Sequence, residues 1–185
     1  MNETEKRLSE QMMVLRCQAG DDNAFGELFE AYHERLRYYV ARLQGRPRDT
    51  DDVLQQVWID VYRKLPTLRS PKAFRVWVYR IARDKVYAGF RKQIHLPLEE
   101  RNQDIPEEPH QEPTFSLEEV EQVHACLEKL STEHRDILML RFLEDMTYEE
   151  IAATLCCQLG TVRSRIYYAK RVLRRKMEEL YHDNR

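Results

Sequence analysis

Two stretches of this 185-residue chain concentrate positive charge, although the formal net charge of the whole is −2. From Arg69 to Lys92 there are eight bases (Arg69, Lys72, Arg75, Arg80, Arg83, Lys85, Arg91 and Lys92) against one acid, Asp84, a net of +7. Phe74, Trp77, Tyr79, Tyr87 and Phe90 are interleaved with them. Cations meet phosphates while exposed rings stack on unpaired bases, the combination that grips single-stranded DNA without a duplex groove. Phe74 and Trp77 fit core positions, whereas Tyr79, Tyr87 and Phe90 fit either face.

The second stretch runs from Leu159 to Met177 and holds Arg163, Arg165, Lys170, Arg171, Arg174, Arg175 and Lys176 with no acid, again +7. Val162, Ile166, Ala169, Leu173, Met177 and Leu180 form an apolar stripe on the same helix. Upstream, Thr147-Tyr-Glu-Glu150 reads as a capping box opening a short helix whose Ile151, Ala152 and Leu155 face inward. A short helix, a tight turn near Cys156–Leu159 and a basic helix make a helix-turn-helix pattern, with the small Ala152 and Ala153 permitting close crossing. Thr161, Arg163, Ser164 and Arg165 then stand where base-edge contacts belong, and Lys170, Arg171 and Arg174 extend the same surface. A merely solvated helix is the weaker reading, because seven like charges repel unless something anionic answers them.

Other chemistries lack the residues they need. The six histidines are scattered, and neither a P-loop nor G-x-S-x-G occurs. No acid, base and nucleophile set presents itself, so no catalytic residue, cofactor or enzymatic activity is expected. Cys17, Cys126, Cys156 and Cys157 lack the C-x-x-C spacing of a zinc site, and adjacent cysteines suit an ordinary disulfide poorly. Free thiols filling small apolar positions, and no metal, are expected. His124 near Cys126 is a coincidence of two residues.

The elements that must position the charged stretches are helical. Phe25, Leu28, Phe29, Tyr32, Leu36, Tyr39, Val40 and Leu43 step by three and four. Leu54, Trp58, Val61 and Leu65 do the same behind an acidic Asp49-Thr-Asp-Asp52 start, punctuated by Pro47 and Pro66. Ser70 offers an N-cap with Pro71 at the first helical position, ahead of Phe74, Trp77, Val78 and Ile81. Stripes of this width bury against each other, so residues 20–93 read as a helical bundle after an N-terminal extension, 1–19. Four of the seven prolines fall between Pro97 and Pro113, and Glu99 to Glu121 carries a net charge of −8. Residues 94–116 therefore read as a flexible acidic linker, and 117–185 as a second helical domain. Eighteen residues from Glu99 to Ser116 reach ~60 Å when extended, which lets two DNA-contacting modules sit more than one ~34 Å helical turn apart. The fold class is all-α, two small domains joined by a Pro-rich tether. Apolar runs are too short to span a bilayer, and the N-terminus lacks a signal-peptide core, so a cytoplasmic protein without membrane insertion is expected.

At this point the motifs resemble a known family. Leu130-Ser-Thr-Glu-His-Arg-Asp-Ile-Leu-Met-Leu-Arg-Phe-Leu143, Thr147-Tyr-Glu-Glu-Ile-Ala152 and Gly160-Thr-Val-Arg-Ser-Arg-Ile-Tyr-Tyr-Ala-Lys170 resemble region 4 of bacterial sigma-70 family factors. Asp49-Thr-Asp-Asp-Val-Leu-Gln-Gln-Val-Trp58 is similar to the acidic polymerase-docking helix of region 2, and Phe74-Arg-Val-Trp-Val-Tyr-Arg-Ile-Ala-Arg83 to its promoter-melting segment. Two regions joined by a short linker are the layout of the extracytoplasmic-function (ECF) subgroup. The resemblance implies a non-enzymatic subunit that binds core RNA polymerase and directs it to promoter DNA. Region 4 would read the −35 element through Thr161, Arg163, Ser164, Arg165, Lys170, Arg171 and Arg174. Region 2 would engage and melt the −10 element through Arg75, Trp77, Tyr79, Arg80, Arg83, Asp84, Tyr87, Arg91 and Lys92. Asp49, Asp52, Gln55, Gln56 and Trp58 would meet the β′ coiled coil, the C-terminal domain the β flap, and an anti-sigma factor the same surfaces.

Three departures from the family pattern stand out. Asp84 replaces a frequent Asn, with Ala88 where an Asp is common; Gln56 replaces a common Glu; and Cys156 replaces the usual Gly of the helix-turn-helix turn, which must manage without positive φ or bear the strain. A stand-alone regulator with a sensor bundle would share the helix-turn-helix, but needs neither the acidic helix start nor the basic, aromatic segment.

Overall fold

The computed structural model describes residues 3–45, 49–93 and 125–183, and among these the regular structure is entirely helical. The expected linker, the Leu117–Val123 part of the second domain and His124 lie outside the described residues. The chain divides into two compact units, Met1–Leu96 and Pro97–Arg185, each with its own core.

The first unit contains α1 (Glu3–Gln18), α2 (Asp22–Gln44), α3 (Thr50–Lys64) and α4 (Phe74–Gln93). Helix α2 is the central element, packing against the other three. Its Ala24, Leu28, Tyr32, Leu36, Tyr39, Val40 and Leu43 are buried, while Phe25 and Phe29 are half-buried at its edge. Leu54, Val57, Trp58 and Val61 face it from α3, and Phe74, Val78, Tyr79, Ala82 and Val86 from α4. Edge-to-face ring pairs lock the layers: Tyr32 on Phe74 and Tyr39 on Tyr79, each at 5.2 Å between centroids. Such pairs add about 0.5–1.5 kcal/mol beyond the area they bury.

The N-terminal segment is a helix of this unit, packed on α2 with Val14 fully buried. At the α1–α2 corner, Asp21 caps α2 by accepting from the Asn23 and Ala24 amides while holding the Arg16 guanidinium at 2.8 Å. The Arg16 hydrogen bond, with those amides, holds the Asp21 carboxyl below its usual range. Further along α1, the Tyr32 hydroxyl donates to the Glu10 carboxylate. Burial pushes the Glu10 carboxyl above the ordinary carboxylate value, against the opposing pull of Tyr32, Arg75 and Arg35. The entry to α4 differs from the sequence expectation. Ser70 makes no side-chain cap, Pro71–Ala73 form a separate 3-10 turn, and α4 begins at Phe74.

In the second unit a helical turn at 125–128 precedes α5 (Thr132–Phe142), α6 (Tyr148–Leu155) and α7 (Leu159–Asp183). Ser131 caps α5. The buried Arg135 donates to the carbonyls of Leu127, Glu128 and Leu130 at 2.7–3.1 Å, satisfying the end of the preceding turn. Ile137, Leu138, Met139 and Leu140 of α5 are buried, as are Ile151 and Leu155 of α6 and Val162, Ile166 and Ala169 of α7.

Glu10 supplies a pH test. Its carboxyl binds a proton more readily folded than unfolded, so its share of stability is present at acid pH and falls as pH rises past the ordinary value of 4.5. Glu10→Gln should remove that fall. Thermal unfolding should show the variant gaining on the parent as pH rises to 8, with the two curves converging toward pH 4.

Candidate nucleic-acid interface

Helix α6 begins with the expected capping box: the Glu150 amide donates to Thr147 Oγ1 at 3.2 Å, and the Thr147 amide to Glu150 Oε2 at 2.8 Å. Ile151 and Leu155 face the core, Ala152 is half-buried and Ala153 exposed. Cys156 ends the helix in the left-handed region at φ 53°, so the turn bears the strain that glycine would avoid. The Cys156 and Cys157 amides both reach back to the Ala152 carbonyl. All four cysteines are free thiols. Cys126 is buried as expected of a small apolar filler, whereas Cys156 is exposed.

Three residues later α7 starts. Arg163 is exposed; Thr161, Ser164 and Arg165 are half-buried, and Ser164 Oγ donates to the Thr161 carbonyl at 2.9 Å. Arg163, Tyr167, Arg171 and Arg174 follow one another along a row at helical spacing, away from the buried Val162, Ile166 and Ala169. Arg171 lies over the Tyr167 ring at 5.7 Å and Lys170 over Phe142 at 5.0 Å. Arg175 and Lys176 pair with Glu179 at 3.1 and 2.7 Å. These two cations thus have an acid within the helix.

On α4, Arg80 and Asp84 are exposed one turn apart. Arg83 lies over the half-buried Tyr87 at 4.4 Å, and Tyr87 meets Phe90 edge-to-face at 5.9 Å. A cation, two rings and the exposed Arg80 therefore share one surface. Tyr79 does not belong to it. The ring has no exposed surface and sits between Tyr39 and Tyr32, because its position on the helix falls under α2. Trp77, expected in the core, is half-buried on the Arg80 side. Spacing leaves Tyr79 open to either face and puts Trp77 in the core; the structure buries the first and half-exposes the second. Arg75 is half-buried with Nε enclosed and Glu10 nearby. The side chains of Arg91 and Lys92 lie outside the described residues, although both belong to α4.

Asp49, Asp52, Gln55 and Gln56 are exposed along the start of α3. Trp58 is only 7% exposed, packed against Phe29 at 4.7 Å and Phe25 at 6.0 Å. It shapes this face from beneath. The sequence reading missed Ile59 and Tyr62, which are 43% and 59% exposed beside it. With Phe29, His33, Leu54, Gln55 and Trp58 they line a cavity of about 750 Å³. Their signal was present in the sequence: both are large apolar residues off the buried Leu54–Trp58–Val61 stripe. Asp60, on α3, takes Lys85 of α4 at 2.9 Å and Lys64 at 3.0 Å. Among the described residues no group of three His, Cys, Asp or Glu could hold a metal ion, and no helix is long and apolar enough to cross a membrane.

A helix-turn-helix unit with a basic second helix, and a separate bundle with a cation–aromatic face, define a two-module all-α protein built for nucleic acid. The chain belongs to the sigma-70 family, in its ECF subgroup: residues 28–94 match sigma-70 region 2 and residues 120–173 sigma-70 region 4. It is 33% identical over 187 residues to the ECF RNA polymerase sigma-E factor of Escherichia coli K12, covering 95% of this chain and 97% of that protein. It is 30% identical over 183 residues to the RNA polymerase sigma-H factor of Pseudomonas aeruginosa PAO1, covering 92% and 95%. Among solved structures it is similar to CnrH in complex with the cytosolic domain of CnrY (TM-score 0.65, 24% identity, 96% of this chain and 99% of that one). The sigma factor RpoE in complex with the anti-sigma factor NepR from Bartonella quintana is also similar (TM-score 0.65, 20% identity, 83% and 96%).

The turn supplies a further test. Cys156→Gly should raise stability by about 1 kcal/mol, the scale of left-handed strain at a non-glycine residue. Urea denaturation of the full chain measures it, and a loss of stability would show that the thiol contributes more than the strain removes.

Proposed function

We propose that this chain is a sigma factor: it binds core RNA polymerase and directs it to a discrete class of promoters. The observation that carries this reading is the pairing, in one chain, of a helix-turn-helix whose second helix opens with exposed Arg163 and a separate helix that sets Arg80, Arg83 and Tyr87 on one surface. The first suits a duplex major groove, the second an unpaired strand. Membership of the ECF subgroup, and relatives named as RNA polymerase sigma factors, supply the context.

In this reading Arg163, with Thr161, Ser164 and Arg165 beside it, meets base edges of the −35 element, and Lys170, Arg171 and Arg174 meet phosphates. Helix α4 engages the −10 element and holds its melted strand through Arg80, Arg83, Tyr87 and Trp77, with Arg91 and Lys92 further along. Tyr79 stands outside that set, in the core that supports it. Asp49, Asp52, Gln55 and Gln56 meet the β′ coiled coil, over a surface that Trp58 underpins and Ile59 and Tyr62 extend; the second unit meets the β flap. Residues 94–116 act as a tether between the modules, which are bounded as residues 20–93 and 117–185. The chain performs no reaction of its own and works in the cytoplasm. Two solved relatives of the same fold are complexes, one with a named anti-sigma factor, and a partner of that kind would cover these surfaces here.

Run-off transcription with purified core enzyme over a genomic fragment library tests the assignment. Initiation at a discrete promoter set is expected with the chain present, and none with core enzyme alone; no stimulation would refute it. Within the second unit, Arg163→Ala should relax −35 selectivity, at about 1–3 kcal/mol for a lost base contact, whereas Arg174→Ala should weaken all sequences alike. Competition binding against −35 variants separates the two outcomes.

A further inference from the structure

Gln18 is the last residue of α1 and lies outside the stretch matched to region 2. Its side-chain amide donates to two backbone carbonyls, Leu65 O at 3.0 Å and Leu68 O at 2.7 Å. Both partners can only accept, so the amide nitrogen is the atom that faces them. The two carbonyls belong to the connector between α3 and α4, which contains Pro66 and Pro71 and two short 3-10 turns, Leu65–Thr67 and Pro71–Ala73. Proline removes two amide donors from this connector. Within it the Leu68 amide bonds to Leu65 O at 3.1 Å, the Ala73 amide to Ser70 O at 3.0 Å, and Thr67 Oγ1 to Lys64 O at 2.7 Å. Each of these bonds spans three residues. Gln18 ties the connector to a helix some fifty residues away in sequence.

Helix α1 packs on both 3-10 turns, and beyond the second its Glu10 attracts Arg75 in the first turn of α4. The connector is therefore held at its start by Gln18 and just past its end by Glu10. What it controls is the position at which α4, with Arg80, Arg83 and Tyr87, leaves α3, with Asp52 and Gln55. One of these faces the promoter strand and the other the polymerase in the function proposed above.

We infer that Gln18 is a positioning residue for promoter opening: by donating to the Leu65 and Leu68 carbonyls it fixes the connector, and through it the register between the polymerase-docking helix and the strand-holding helix. The inference rests on the sigma-factor assignment and adds to it a role for α1. Losing the two bonds should leave binding of polymerase, a property of the α3 surface, and binding of −35 duplex, a property of the second unit, unchanged, while impairing strand opening.

The test uses holoenzyme assembled from core RNA polymerase and the full chain, as wild type, Q18M, Q18E and Q18R, on a promoter drawn from the run-off library. Neither Met nor Glu at this position has a donor, and Q18E keeps the size of glutamine should Q18M fail to fold; the arginine variant restores donors toward both carbonyls. Core affinity and −35 duplex binding should stay within about twofold for Q18M and Q18E, while 2-aminopurine fluorescence in the −10 region should report opening about tenfold slower, the scale of one to two lost hydrogen bonds. Q18R should recover most of that rate. Hydrogen exchange of the Leu68 and Ala73 amides should quicken in Q18M and Q18E, a change confined to the connector. Opening within about twofold of wild type, unchanged exchange at those amides, or a loss of core affinity matching the loss of opening would each overturn the inference. Wild-type holoenzyme that opens no library promoter would instead overturn the assignment on which it rests.

Discussion

A helix that carries cations along one face must be gripped by the other. This constraint governs both units. On α7, Val162, Ile166 and Ala169 are fully buried, so the row from Arg163 to Arg174 is displayed without being able to roll away. On α4 the grip is Phe74, Val78, Tyr79, Ala82 and Val86, closed by edge-to-face contacts with Tyr32 and Tyr39. Burying a valine, isoleucine or phenylalanine side chain is worth about 1.5–3 kcal/mol. That is several times the fraction of a kcal/mol by which exposed like charges one turn apart repel. Burial sets the orientation of each helix, and the acids beside the cations only reduce the remaining repulsion.

Much of this is legible in the sequence, because the signals are local. The capping box at Thr147 and Glu150, the stripe of α2 and the Leu54–Trp58–Val61 face of α3 all follow from spacing and chemistry within one or two turns. What was not legible depended on neighbours. Spacing put Trp77 with Phe74 and Val78, but a helix covered by both α2 and α3 buries a wider arc, and that arc runs through Ala82 and Val86 to Tyr79. Tyrosine carries no sign of which side it will take, since its ring suits a core and its hydroxyl suits a surface. Trp58 follows the stripe, and only the resemblance to the polymerase-docking helix implies a contact role for it. The role of α1 was hidden for another reason: nothing within Glu3–Gln18 announces that Gln18 has carbonyl partners across a gap of 47 and 50 residues.

The two surfaces differ in character. The α7 surface stands on a helix whose start is set by a single turn, where Cys156 accepts a conformation that glycine takes freely, so its entry angle is bought with strain. The α4 surface is set by a connector of two 3-10 turns and by α1 packed against both. Its position is a collective property of three helices. In the function proposed above, α7 would meet a duplex whose groove already has a defined shape, whereas α4 would meet a separated strand, for which the protein has to supply the geometry itself.

Asp60 and Glu179 have one more effect. Lys85 is already paired with the first, and Arg175 and Lys176 with the second. A phosphate that approached any of the three would meet a carboxylate already beside the cation, and that carboxylate reduces the attraction. Among the described residues, Lys85, Arg175 and Lys176 are therefore partly neutralised on their own chain. The charge that drives the protein toward nucleic acid is accordingly smaller than the sequence total, and it is concentrated on the faces away from Asp60 and from the end of α7. A near-neutral protein with its cations placed in this way avoids the indiscriminate attraction of a uniformly basic one, and keeps its pull for a polyanion that arrives in the right orientation.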